Sequence, residues 1–174
     1  MRGSTGFVKP LFFILLAVIV VIALGFVGAD LMGGDKDLGT AVDFTAKTAT
    51  GEDYTLSSYY GKGGTALIFF DRATSDGKTL LTNLSAAKAG TDVRTVLVAK
   101  GETDGKAITA YLAEQGLSVD VIIPDGKGEV CAKYNVSACP ITYFINESGS
   151  VRAVSLSSLT ASAARKYIGY IAGA

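Results

Sequence analysis

The chain has 174 residues, and 16 Lys plus Arg balance 16 Asp plus Glu for a formal net charge of zero. That balance, with the basic residues scattered rather than clustered, argues against nucleic acid as a partner. Histidine and tryptophan are absent and only two cysteines are present, which removes Ser/His/Asp and Cys/His nucleophilic arrangements and leaves no imidazole for zinc or copper, so no metal or other cofactor is expected.

From Pro10 to Ala29 the chain carries no charge. At about 1.5 Å per helical residue such a stretch crosses a hydrocarbon layer of ~30 Å. The expected organisation is therefore a cytoplasmic N-terminus over 1–10, a transmembrane anchor over 11–29, a flexible tether over 30–40 and a folded domain over 41–174. Arg2 and Lys9 precede the apolar run while Asp30 and Asp35 follow it, so the positive-inside tendency puts the domain on the extracytoplasmic side of a single-pass membrane protein. Cleavage of the run as a signal peptide after Ala29, giving a secreted domain, is the alternative, although signal-peptide apolar cores usually run only about 7–15 residues. Either route leads to an oxidising compartment, where cysteines pair by default.

Within the domain, Val42 to Leu56 alternates loosely on either side of Thr50-Gly51-Glu52-Asp53, as a β-hairpin does. Thr65 to Phe70 is a continuous apolar run of strand length. A helix follows, capped by Ser75 or Asp76, with the stripe Leu80, Leu81, Leu84 and Ala87. Val93 to Val98 reads as a second strand. Asp104 caps a helix that buries Ala107, Ile108, Tyr111 and Leu112 and ends near Gly116. Val119 to Ile123 is a third strand, predicted to stop at Pro124. Glu129 to Tyr134 is a short helix, Ile141–Ile145 and Val151–Ser155 form a hairpin around Asn146 to Ser150, and a last helix starts near Thr160 with Tyr167, Ile168 and Ile171 inward. Alternating β and α elements with a closing hairpin predict an α/β fold: a mixed sheet covered by helices on both faces.

The opening hairpin residues Asp43-Phe44 and Gly51 to Ser57, the core run Leu67 to Phe70, and Tyr134-Asn135-Val136 through Pro140-Ile-Thr-Tyr-Phe-Ile145 together resemble the thioredoxin-like superfamily. The resemblance points to its TlpA-like branch of membrane-anchored, extracytoplasmic thiol-disulfide oxidoreductases and covers roughly Ala41 to Ala172. It implies a thioredoxin-like fold with an N-terminal hairpin, a cis Pro140, and a substrate groove formed by Pro140, Ala138, Ser75, Asp76 and Lys78. The family's Cys-x-x-Cys falls on Ser75-Asp76-Gly77-Lys78, where no thiol stands and the usual dithiol chemistry is excluded. Peroxiredoxins share the fold, and their Thr-x-x-Cys loop also finds no cysteine here. Copper chaperones of the same fold would need a Cys-x-x-x-Cys and a histidine.

By that resemblance Cys139, just before the cis-proline, faces the altered Ser75 to Lys78 site, with Lys78 favouring its thiolate and Asp76 opposing it. Three readings of the cysteines stay open. Cys139 and Cys131 are a relocated redox pair acting on thiols or disulfides of exported proteins; or they form a structural disulfide, worth about 2.5 kcal/mol for so short a loop, in a module whose groove binds an extended peptide segment without turnover; or they are unpaired thiols.

Overall fold

The structure, a computed structural model, describes residues 37–73 and 77–173. A two-stranded antiparallel hairpin, β1 (Thr45–Lys47) with β2 (Asp53–Thr55), comes first, followed by a 3-10 turn over Leu56–Tyr59. The central sheet contains β3 (Thr65–Phe70), β4 (Arg94–Lys100), β5 (Val121–Asp125), β6 (Ile141–Ile145) and β7 (Val151–Ser155) in the order β5-β4-β3-β6-β7. Strands β3, β4 and β5 run parallel, whereas β6 and β7 are antiparallel to their neighbours. The helices are α1 (Gly77–Lys88), α2 (Gly105–Glu114), α3 (Glu129–Lys133) and α4 (Ala161–Gly169).

β3 lies at the centre of the sheet and all six of its residues are buried. A strand covered on both faces needs an unbroken apolar run, and Thr65-Ala-Leu-Ile-Phe-Phe70 supplies one. Alternation along it sends Ala66, Ile68 and Phe70 to one core, shared with Leu80, Leu81 and Leu84 of α1, Ile108 and Leu112 of α2, and Ala164, Tyr167 and Ile168 of α4. Leu67 and Phe69 face the other core, built from the hairpin side chains Phe44, Tyr54 and Leu56 and from Val130 and Cys131 of α3. Helices thus lie on both faces, three on one and the short α3 with the hairpin on the other.

Local signals set the helix ends. Asp104 accepts the amides of Lys106 at 2.8 Å and Ala107 at 3.3 Å, and Thr160 accepts that of Ala163 at 3.2 Å, satisfying donors that a helix start leaves open. α3 opens on Gly128 at φ 70°, a left-handed conformation that costs glycine little. The β6–β7 turn is held by Asn146 Oδ1, which accepts the amides of Ser148 and Ser150.

Two expectations are corrected. The thioredoxin-like α/β fold with a mixed sheet is present, but a transmembrane helix is not found: among the described residues no helix is long and apolar enough to cross a membrane. The longest, α1, has 12 residues, about 18 Å of rise. The segment 11–29 for which the anchor was predicted, and residues 1–10 and 30–36 on either side, lie outside the described residues. Second, Pro124 does not stop β5, which continues to Asp125. β5 is an edge strand, and a proline lacking an N–H is tolerated where no outer neighbour needs a donor.

Candidate functional site

Three strand ends converge at one edge of the sheet. β3 ends at Phe70, β4 at Lys100 and β5 at Asp125, and the parallel register sets Lys100 directly beside Asp125. β6 enters from the same edge, with Ile141 opposite Phe69. The peptide Cys139-Pro140, cis as expected, therefore stands beside the end of β3. The carboxyl ends of parallel strands are where open α/β sheets place their ligand sites.

Both cysteines are free thiols here. Cys139 is half-buried in the loop before β6, between exposed Ala138 and buried Pro140. Cys131 is buried on α3 and packs in the core that Tyr134 and Cys139 also join. Each thiol lies within electrostatic reach of the other. Tyr134 forms an aromatic wall with Phe69 and Tyr143, ring centroids 5.2 and 5.0 Å away.

Charge around the two sulfurs is uneven. Burial pushes the Cys131 thiol up to about 12, and the Asp125 carboxylate adds to the rise as hydrogen-bond acceptor and as negative charge. Lys100 acts the other way. Burial also raises the Cys139 thiol above its ordinary value, with Lys100 again opposing and Asp71 reinforcing. The Lys100 ammonium donates to the Ser137 carbonyl, which ties it to the loop that carries Cys139.

Of the residues predicted for the groove, Pro140, Ala138 and Cys139 share this loop, and Lys78 is exposed on the first turn of α1. Ser75 and Asp76 lie outside the described residues. The first position of α1 is closed to side chains, since a Cβ on Gly77 would meet the Phe70 ring at 2.2 Å. Sequence reasoning missed Lys100 and Asp125, each a charged residue at the end of an apolar strand. It assigned the cation's part to Lys78, whereas Lys100 acts on both thiols. Asp71 accepts the Ala73 amide at 2.8 Å, and Arg72 bridges to Glu102 at 2.8 Å.

Residues 39–154 match the model of the AhpC/TSA family. The chain belongs to the AhpC/TSA family. No curated protein matches this AhpC/TSA chain. Among solved structures it is similar to a secreted Mycobacterium tuberculosis disulfide oxidoreductase described as homologous to Escherichia coli DsbE, at 21% identity and TM-score 0.63 over 72% of this chain and 94% of that one. StoA from Bacillus subtilis gives 22% identity and TM-score 0.58 over 72% and 96%. Peroxidoxin BcpB from M. tuberculosis gives 20% and 0.60 over 76% and 94%. At these identities the neighbours establish the thioredoxin-like fold. In this AhpC/TSA member the thiols stand on α3 and before β6, and 73–78 contains none. Cys139 and Cys131 thus supply a half-buried thiol and a buried one at the carboxyl edge of the sheet.

Proposed function

We propose that this AhpC/TSA chain exchanges disulfides of exported proteins outside the cytoplasm, with Cys139 as the attacking thiol and Cys131 as the resolving one. The observation that carries the reading is the half-buried Cys139 beside Pro140 at the carboxyl edge of the sheet, within electrostatic reach of a second thiol. The Cys139 thiolate attacks one sulfur of a substrate disulfide, forming a mixed disulfide and releasing the other sulfur as a thiol. Cys131 then attacks the Cys139 sulfur, closes the Cys131–Cys139 disulfide and releases the second substrate thiol. Two protein thiols are oxidised as one disulfide is reduced, and the same steps run backwards oxidise a substrate dithiol. An extended substrate segment would lie along the loop at Ala138 and Pro140. The secreted M. tuberculosis neighbour supports an extracytoplasmic place of action.

The test uses a peptide containing a disulfide and mass spectrometry of the products. Cys131→Ser should accumulate a covalent peptide adduct on Cys139, whereas Cys139→Ser should form none. Equal turnover in Cys139→Ser and the unmodified chain would refute the assignment.

One observation favours a second reading. Burial raises both thiols, which lowers the thiolate fraction that exchange needs. In that reading the chain is a non-catalytic peptide-binding module and the Cys131–Cys139 disulfide is a structural staple. Binding of an extended peptide that survives Cys139→Ser, with no turnover by the unmodified chain, would establish it.

A further inference from the structure

Beside the outer edge of β5 an open cleft of about 390 Å³ lies between β1, the end of β5 with the loop after it, and α3. The β1–β2 ladder fixes which way the backbone of β1 faces. Phe44 C=O accepts from Leu56 N–H and Thr48 N–H donates to Glu52 C=O. The even-numbered residues, Ala46 among them, therefore bond to β2, and the N–H and C=O groups of Thr45 and Lys47 point away from it. Ala49, next in that outward series, donates to the Ile122 carbonyl of β5 at 2.8 Å. There the two edges touch. Further along, Pro124 has no N–H to offer β1, and among the described residues no backbone bond reaches Thr45 or Lys47 from across the cleft.

Cations outnumber anions on its walls. Lys47 lies on β1, and Lys127 and Lys133 line the other side, together with Glu129 and the buried Asp125, whose carboxylate already accepts the amides of Val130 and Cys131. Lys47 is paired with Asp53 at 2.9 Å, and Lys133 lies within electrostatic reach of Asp43. Among the described residues neither Lys127 nor Lys133 has a salt bridge. A lysine on a strand edge can guard it against another sheet. Lys127 and Lys133 are not on that strand, and they put positive charge along the wall opposite its free edge.

We propose that this cleft docks an extended acidic segment of a partner protein, which adds a strand to the free edge of β1 and sets its carboxylates against Lys127 and Lys133. β1 has three residues, about 10 Å of strand, and the outward groups of Thr45 and Lys47 give a partner backbone two donors and two acceptors. Main-chain bonds hold the segment and the lysines select its charge. The lining includes neither thiol, nor any residue of the loop at Ala138 and Pro140, so the docking surface is additional to the exchange site and independent of how the cysteines act.

The probe is a short fluorescein-labelled peptide of alternating glutamate and valine, titrated against the full-length chain by fluorescence anisotropy. It should bind about tenfold or more tightly than the same peptide with lysine for glutamate, and weaken as NaCl rises from about 0.05 to 0.5 M. N-methylation of one alternating set of its amides should cost about tenfold, and of the other set much less, because a strand turns only every second amide towards a given neighbour. Lys127→Glu combined with Lys133→Glu should weaken binding by about tenfold. Thr45→Pro, which removes one outward N–H at an edge where proline is tolerated, should also weaken it. Circular dichroism checks that these variants fold, and if they do not, the methylated peptides decide alone. No binding at millimolar peptide, equal affinity for the lysine peptide, or equal loss from both methylated sets overturns the proposal. Displacement by equimolar pyrophosphate would make the cleft a small-anion site, and a self-associated chain dispersed by the peptide would give the edge to a second copy; either overturns it. Cys139→Ser should bind the peptide as the unmodified chain does, and loss of binding there would move the peptide to the Pro140 loop and overturn the proposal without touching the exchange reading.

Discussion

Lys100 and Asp125 are register partners at the ends of the parallel strands β4 and β5, and they divide unequally between the two thiols. Lys100 favours the thiolate of both cysteines, whereas Asp125 acts on Cys131 alone and disfavours its thiolate. The pair thereby distinguishes two chemically identical groups. Cys139 is the more exposed of the two thiols, and Cys131, buried beside Asp125, is the one held more firmly protonated.

Opposite charges near Cys139 predict opposite effects. Lys100→Met should lower the thiolate fraction of Cys139 by about 3–10-fold, as loss of one nearby cation does, and Asp71→Asn should raise it. Alkylation rates of Cys139 in a Cys131→Ser background measure both. The rates should move by less than the thiolate fractions, because a more basic thiolate is a better nucleophile. Identical rates in the two variants would remove both residues from the account.

The raised Cys131 thiol also has a consequence for stability. Its pKa is pushed from 9.0 up to about 12 in the folded state, so the folded chain keeps a proton that the unfolded chain loses. The contribution is fully present below pH 9.0 and is lost progressively as pH rises from there towards 12. The reduced chain should therefore show a urea midpoint that falls as pH rises above about 9, and Cys131→Ala should flatten that fall. Between about 9 and 10 the comparison is cleanest, because unfolded-state tyrosines begin to ionise above that range.

Asp120 makes the reverse prediction. Burial alone would raise its carboxyl, but hydrogen bonds from Lys88 and from the amide and hydroxyl of Thr95 outweigh it and hold the group below 3.8. Stability from this network is present above pH 3.8 and is lost as pH falls through the lower folded-state value. Asp120→Asn should cost about 1–2 kcal/mol near neutral pH, a range kept modest because the side chain is 40% exposed and solvent screens the ion pair. Denaturant titrations of the two proteins should converge in strong acid.

Gly77→Ala sets helix propensity against packing. Alanine in a helix is ordinarily worth about 1 kcal/mol over glycine. Here the new Cβ would fall 2.2 Å from Cε2 and 2.9 Å from Cδ2 of Phe70, a fully buried ring packed against Tyr111. The substitution should destabilise by about 1–3 kcal/mol, and Phe70→Leu in the same chain should relieve part of the cost. A rise in the urea midpoint of Gly77→Ala would show that the ring yields at little cost.

How far the sequence could be read follows from the range of each signal. Strand runs, helix stripes and the Asp104 cap are local, and the structure has them close to where the pattern placed them, with β4 starting at Arg94 rather than Val93 and β5 at Val121 rather than Val119. Tyr59 and Tyr60 are used in packing: Tyr59 donates to the Asp92 carbonyl with Arg94 over its ring at 3.9 Å, and Tyr60 lies against Gly149. Asn83 and Asn146, which match the glycosylation pattern, serve as donor to Leu159 and as turn cap. Pro124 misled because its effect depends on whether a strand has an outer neighbour, which is a property of the sheet. Lys100 and Asp125 were missed for a related reason. They stand 25 residues apart, and only the parallel register of β4 and β5 brings them together beside Cys131.

The most direct test of the central claim is the reduction potential of the Cys131/Cys139 pair, obtained by equilibrating the protein in graded thiol buffers and counting alkylated cysteines by mass spectrometry. Exchange chemistry predicts a two-electron couple between about −120 and −270 mV, the range of working oxidoreductases. A potential below about −300 mV would mark a structural staple, and two free thiols in every buffer would contradict the pairing altogether.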